Sequence, residues 1–194
     1  MPLSRYNPAS VQVIQTAIPD VKILVPRRFE DSRGLFCETY NKRTTALVGI
    51  DVEFVQDNQS VSTDANVVRG LHFQLPPFAQ DKLIRVIHGS VFDVAVDLRR
   101  SSATFGKHVA TVLTAGDWQQ VYIPSGFAHG FCTLEPGTEL LYKVSRFYSP
   151  RHERGLLWND PDLGISWPVS PESALLSEKD THYPRLRDLR DVFP

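Results

Sequence analysis

From Val21 to Phe147 apolar and polar positions alternate in short runs, the period of a half-buried β-strand. The pattern predicts strands at Val21–Val25, closed by Pro26, and at Leu35–Tyr40. Others follow at about 52–61, 67–74, 82–88, 90–98, 107–114, 118–123, 129–134 and 138–147. Turn signals separate most of them, including His88-Gly-Ser90, Ala115-Gly-Asp117, Pro124-Ser-Gly126 and Glu135-Pro-Gly137. Phe29-Glu-Asp-Ser-Arg-Gly34 reads as a turn, and Asn41 as the cap of a short helix over Lys42–Val48 that Gly49 stops. Strands this close together leave no room for the helical crossovers of a parallel sheet. The expected class is therefore all-β, a β-sandwich or barrel. Residues 1–20 read as an irregular arm. After Ser149-Pro150 the chain becomes rich in Pro, Trp and Asp and leads to a helical tail near Pro171–Asp180 and Leu186–Val192. No repeat or long linker divides residues 1–194, so one domain is expected.

Composition narrows the function classes. A net charge of −1 argues against a nucleic-acid binder. No apolar run reaches membrane-spanning length, and Met1-Pro-Leu-Ser-Arg-Tyr lacks the apolar centre of a signal peptide, so no membrane partner is expected and the cytoplasm is the expected compartment. Cys37 and Cys132 read as two reduced thiols with no chemistry.

Chemistry concentrates in Arg69-Gly-Leu-His72-Phe-Gln74 and at Lys82, where titratable groups crowd strand-like sequence. Such groups belong in a strand only if they line a cavity or face solvent. Strict alternation puts Arg69 and His72 on opposite faces; a bulge at Gly70 would bring them to one side. His72 then reads as a general base, Lys82 as a cation that steadies an oxyanion, and Arg33 and Arg69 as guanidinium clamps for phosphate. Each has a plainer reading as a solvated or structural group. Tyr142 falls with Leu140 and Val144 on one face, which suits a core tyrosine as well as a general acid. Gln56 and Asn58 fall with Phe54. A base needs an orienting carboxylate, and Asp180 is a candidate that spacing alone does not select. Gly116–His129 looks like the second motif of a cupin, a family whose members often bind metal, but Gln74 and Lys82 stand where a metal site would need further ligands. A metal-free cupin is the expectation.

Several stretches together carry a more specific resemblance. Phe54-Val-Gln-Asp-Asn-Gln-Ser60, Arg69–Gln74, Val91–Arg99, Ile123–Phe131, Leu141-Tyr-Lys143 and Leu157-Trp-Asn-Asp-Pro161 resemble the dTDP-4-dehydrorhamnose 3,5-epimerases, from about Val21 to Asp180. The resemblance implies a jelly-roll homodimer without metal or organic cofactor, acting on dTDP-4-dehydro-6-deoxy-D-glucose. It implies that His72, paired with Asp180, removes the C3 and C5 protons, that Lys82 stabilises the enolate, and that Tyr142 reprotonates from the opposite face. Arg33 and Arg69 would hold the diphosphate; Phe29, Glu38, Gln56, Asp57 and Asn58 would surround nucleotide or sugar. Tyr148 would stack on thymine, and Asp93, His129 and Glu153 would complete the pocket. Part of Phe29–Glu38 would come from the partner subunit. Phe147 departs from the family's usual tyrosine and leaves Tyr148 in place. The competing readings are a monofunctional 3- or 5-epimerase, a metal-dependent cupin enzyme and a non-catalytic nucleotide-sugar binder.

Overall fold

The structure is a computed structural model and describes residues 11–194. In chain order it contains β1 (Val11–Gln15), β2 (Lys22–Pro26), β3 (Arg28–Asp31), β4 (Gly34–Cys37), α1 (Lys42–Leu47), β5 (Gln56–Ser62), β6 (Val68–Gln74) and β7 (Lys82–His88). Then come β8 (Ser90–Asp97), β9 (His108–Thr114), β10 (Gln120–Ile123), β11 (Phe127–Thr133), β12 (Thr138–Val144) and β13 (Glu153–Gly155). A six-stranded sheet of order β1-β2-β10-β7-β12-β5 faces a five-stranded sheet of order β13-β6-β11-β8-β9. This is a jelly-roll sandwich of the cupin type, as the alternation and turn spacing predict.

The predicted alternation explains how the layers adhere. In β8, Val91 and Ala95 enter the core between the sheets with Ile84, Ile123, Phe131 and Leu140. Val94, Val96 and Leu98 turn outward into a second cluster with Leu156, Leu163, Leu189 and Phe193 of the C-terminal segment. Both faces of the five-stranded sheet are therefore covered, and each fully buried Leu, Ile or Val contributes about 1.5–3 kcal/mol of hydrophobic stabilisation.

Four expectations need correction. Part of the expected N-terminal arm is strand: β1 pairs with β2 along its whole length, with Val11 and Val13 packed against Leu24 and Tyr122. Residues 1–10 of the arm lie outside the described residues. Phe29–Gly34 is not merely a turn, because β3 and β4 form a separate hairpin around Ser32-Arg33. All of β3 is exposed, so it carries no apolar face to announce it. β13 is only three residues long, too short for a period to show. The C-terminal helical tail takes the form of short 3-10 turns, at Glu178–Thr181 and Leu186–Asp188 with another at Pro161–Leu163, and not of α-helix. Pro168, Pro171 and Pro184 deny that segment the consecutive backbone donors of an α-helix, and it docks instead through isolated backbone bridges, Leu175 with Val67 and Phe193 with Arg99, and through side-chain packing. Helix α1 does form where expected: the Asn41 side chain accepts from the Arg43 amide, and Gly49 takes φ +81° just past its end.

The bulge at Gly70 decides the placement of the charged groups. His72 pairs with His129, and Arg69 with Phe131, so three residues of β6 span what two span on β11. Gly70 has φ +127°, and a Cβ there would sit 2.5 Å from the Gly130 Cα. Only glycine fits, and the extra residue turns Arg69 and His72 to the same side. Cys37 and Cys132 are free thiols, and no described helix is long and apolar enough to cross a membrane.

Candidate active site

Where β6 and β12 end and β5 and β7 begin, the sheets part to enclose a cavity of about 270 Å³. His72, Lys82, Tyr142, Gln56, Asn58 and Glu153 line it, together with Tyr148, Phe73, Gln74 and Gln80. The lining comes from both layers. His72 and Glu153 belong to the five-stranded sheet; Lys82, Tyr142, Gln56 and Asn58 belong to the six-stranded one. An imidazole and a phenol thus stand on opposite walls.

His72 is held from behind. Its Nε2 lies 2.6 Å from Oδ1 of Asp180, which is buried. Asp180 sits in the 3-10 turn that Ser177 caps. Burial alone would raise its carboxyl, but the hydrogen bond and charge of His72, with further bonds from Ser177 and the Gly70 backbone, hold it below the ordinary carboxylate value. The carboxylate therefore stays ionised and orients the imidazole with its N–H at Nε2, which leaves Nδ1 without that proton.

Lys82 opens β7 with its Nζ 3.4 Å from the His72 carbonyl oxygen. Burial lowers its ammonium to about 8, against the opposing pull of Asp93 and Glu153. Beneath it lies a buried pair, His129 Nε2 to Asp93 Oδ2 at 2.8 Å. Burial pushes the His129 imidazole down despite Asp93, and Lys82 and His72 act in the same direction as burial. Burial raises the Tyr142 phenol, with Arg69 opposing and Glu153 reinforcing the rise. Tyr142 consequently carries its proton at neutral pH.

At the mouth, the Tyr148 hydroxyl donates to Glu153 (3.0 Å), which also accepts from Lys179 (2.8 Å). Gln56 accepts from the Tyr148 amide and donates to Asn58. Tyr148 is 53% exposed, so its ring is open to a ligand. Gln74 bonds the Phe78 and Phe147 carbonyls and the Ser149 amide, which ties both loops of the rim to β6.

The remaining expected residues lie elsewhere. Asp93 and His129 support the cavity wall from beneath and do not line it. Asp57 faces away from Gln56 and Asn58 and pairs with Lys143 at 2.8 Å, because alternation along β5 puts it on the outer face and away from this cavity. Arg69 reaches Ser62 (3.4 Å) and borders an open groove with Ser177, Lys179 and Asp180, next to the dyad. Arg33 pairs with Asp31 on the exposed hairpin, where Phe29 and Phe36 also stand open; none of these reaches the cavity of its own chain. Glu38 lines a crevice beside Tyr40 and Asn41. The residues missed from sequence are Gln80, Lys179 and Tyr183, all in loops or turns without a period. Proximity to Asp180 in the chain was the available signal for the last two.

Among the described residues no three His, Cys, Asp or Glu side chains gather as a metal site would require. The fold and the site together define an isomerase of the epimerase class, built for proton transfer inside a cupin-type jelly roll. The chain belongs to the dTDP-4-dehydrorhamnose 3,5-epimerase family, which matches residues 15–188. The Shigella flexneri enzyme of that description is 53% identical over 171 residues, covering 88% of this chain and 93% of the relative. The Bacillus anthracis epimerase, solved with TDP and PPi bound, superimposes with a TM-score of 0.87 at 49% identity, over 90% of this chain and 99% of that one. A Legionella pneumophila 3,5-epimerase in complex with dTDP-4-keto-L-rhamnose gives a TM-score of 0.87 at 42% identity, over 93% and 95% of the two chains.

Proposed function

We propose that this chain converts dTDP-4-dehydro-6-deoxy-D-glucose to dTDP-4-dehydro-L-rhamnose, the epimerisation step of dTDP-L-rhamnose biosynthesis. The observation that carries the reading is the pairing of an Asp180-oriented His72 on one sheet with Tyr142 on the other. The C4 ketone acidifies the hydrogens at C3 and C5. Nδ1 of His72 takes one of them, and the electron pair moves onto the C4 oxygen to form an enolate. The Lys82 ammonium neutralises that oxygen in a partly desolvated site. The Tyr142 O–H then delivers a proton to the same carbon from the opposite face, which inverts it. Solvent returns both groups to their starting states, and a second round treats the other carbon. No metal or organic cofactor enters any of these steps.

Arg69 supplies the near end of a diphosphate clamp, and Tyr148 offers its exposed ring to thymine. The exposed hairpin completes the clamp in a homodimer, where the Phe29–Glu38 segment of one subunit carries Arg33, Phe29 and Glu38 to the other subunit's cavity. The exposure of Phe29 (48%) and Phe36 (68%) on a two-stranded projection supports this arrangement. The setting is cytoplasmic, with which the two free thiols agree.

The test is incubation with dTDP-4-dehydro-6-deoxy-D-glucose in deuterated water, followed by proton NMR. The expected result is deuterium at both C3 and C5 with the L-configured product. Exchange at one centre alone would assign a monofunctional epimerase. No exchange by folded protein that still binds dTDP would overturn the catalytic reading.

A further inference from the structure

We infer that Tyr183 is a positioning residue for the His72 imidazole, holding the ring plane edge-on from a hollow that exists because residue 155 is glycine. The inference rests on the reading of His72 as the base. The two rings lie 5.6 Å apart, centroid to centroid, with their planes at 73°, an edge-to-face contact. Gly155 faces His72 directly across the β13–β6 pairing. A Cβ on Gly155 would fall 2.3 Å from Cδ2, Cε2 and Cζ of Tyr183. The φ of Gly155 is one that any residue adopts, so the glycine answers a need for space and not for backbone freedom.

The segment that carries Tyr183 is anchored independently of His72. The Leu157 amide donates to the Pro184 carbonyl at 2.9 Å, and the turn Glu178–Thr181 presents Asp180 three residues earlier. One stretch of chain therefore grips the base at two points. Asp180 fixes Nε2, but a single hydrogen bond leaves the imidazole free to rock about its Cβ–Cγ bond. The tyrosine ring, packed edge-to-face with the imidazole, removes that freedom and keeps Nδ1 aimed at the substrate carbon. Its hydroxyl meets Lys179, which also bonds Glu153 at the cavity mouth. The ring, not the hydroxyl, is the part that touches His72.

The test compares Tyr183→Leu with Tyr183→Phe in the full-length protein. Misplacing a base by a fraction of an ångström is costly, so Tyr183→Leu is expected to lower kcat by roughly 10–100-fold with KM within about 3-fold. Tyr183→Phe, which keeps the ring, is expected to stay within about 3-fold of the parent on both. The acid limb of the pH–rate profile should move in the leucine variant alone, and so should the NMR shifts of the His72 ring protons. If Tyr183→Leu does not fold, Tyr183→Met, which fills the volume without a ring, is read in its place. A ringless variant with parental kcat and acid limb would overturn the inference. So would a phenylalanine variant as impaired as the ringless one, since that would move the role to the hydroxyl. His72→Ala is measured in parallel. If it still exchanges C3 and C5 at the parental rate, the base assignment itself has failed; if it is inactive while Tyr183→Leu is unimpaired, only the positioning role has.

Discussion

The wall around His72 and the β3–β4 hairpin carry comparable chemistry in opposite settings. On and beneath the wall, three ionisable groups have fixed partners: His72 has Asp180, His129 has Asp93, and Glu153 has Lys179 and Tyr148. On the hairpin, Arg33 has only its neighbour Asp31 at a side-chain exposure of 88% and 52%. An exposed pair of that kind contributes little, about 0–1 kcal/mol, and is readily exchanged for a phosphate. A group that must transfer a proton needs an orientation set before the substrate arrives, whereas one that grips a diphosphate can be completed by the ligand and a second subunit. On the proposed reading, the chain assembles its proton-transfer apparatus internally and leaves part of its anion clamp facing outward.

The largest expected effect comes from breaking the wall. His72→Ala removes the base and is expected to lower kcat by at least roughly 10³-fold, with dTDP affinity retained, checked by steady-state turnover and by calorimetric titration with dTDP. Equal activity in the variant would transfer the base role to another group. Next comes Lys82→Met, which keeps the stem and deletes the charge at the enolate oxygen; a kcat loss of roughly 10²–10³-fold is expected.

Lys82 also gives the comparison a pH signature. With its ammonium lowered to about 8 by burial, the cation is lost as pH rises through that value, so the alkaline limb of kcat/KM should fall near 8 and vanish in Lys82→Met. The stability sign is opposite. Between about 8 and the ordinary lysine value the unfolded chain holds the extra proton, so Lys82's contribution to folding becomes more favourable as pH rises across that window.

Substitution on the hairpin should be milder and different in kind. Arg33→Ala is expected to raise KM by about 10-fold and leave kcat within about 3-fold, because it weakens ground-state and transition-state binding alike. A fall in kcat equal to that of Lys82→Met would erase the distinction between the two regions. Asp57→Ala, on the outer face of β5 beside Lys143, is expected to change neither constant by more than about 2-fold, a small effect typical of an exposed pair. A large rise in KM would return Asp57 to the ligand shell.

Much of the architecture could be read from periodicity alone. Alternation in β8 assigned Val91, Asp93, Ala95 and Asp97 to one face and Phe92, Val94, Val96 and Leu98 to the other, and the two core clusters divide on that line. Asn41 and Gly49 marked both ends of α1 because capping is local chemistry. Strand β3 escaped because all four of its residues are exposed, and the C-terminal segment forms 3-10 turns in place of α-helix because proline spacing outweighs its apolar content. Alternation also separated Asp57 from Gln56 and Asn58, a distinction that the resemblance alone blurred.

The sequence by itself determined the strand pattern, the glycine that permits the β6 bulge, the family, and which imidazole, amine and phenol are the candidates for the proposed chemistry. Each of these depends on neighbours within a few residues or on motifs in a fixed order. Tertiary structure decided that Asp180, 108 positions from His72, is its partner. It decided that Asp93 and His129 lie under the cavity floor, that Lys82 is buried enough for its ammonium to drop, and that Tyr183 stands against the base. Those facts depend on which surfaces the packed sheets and the docked C-terminal segment remove from water, and no periodicity along the chain encodes that.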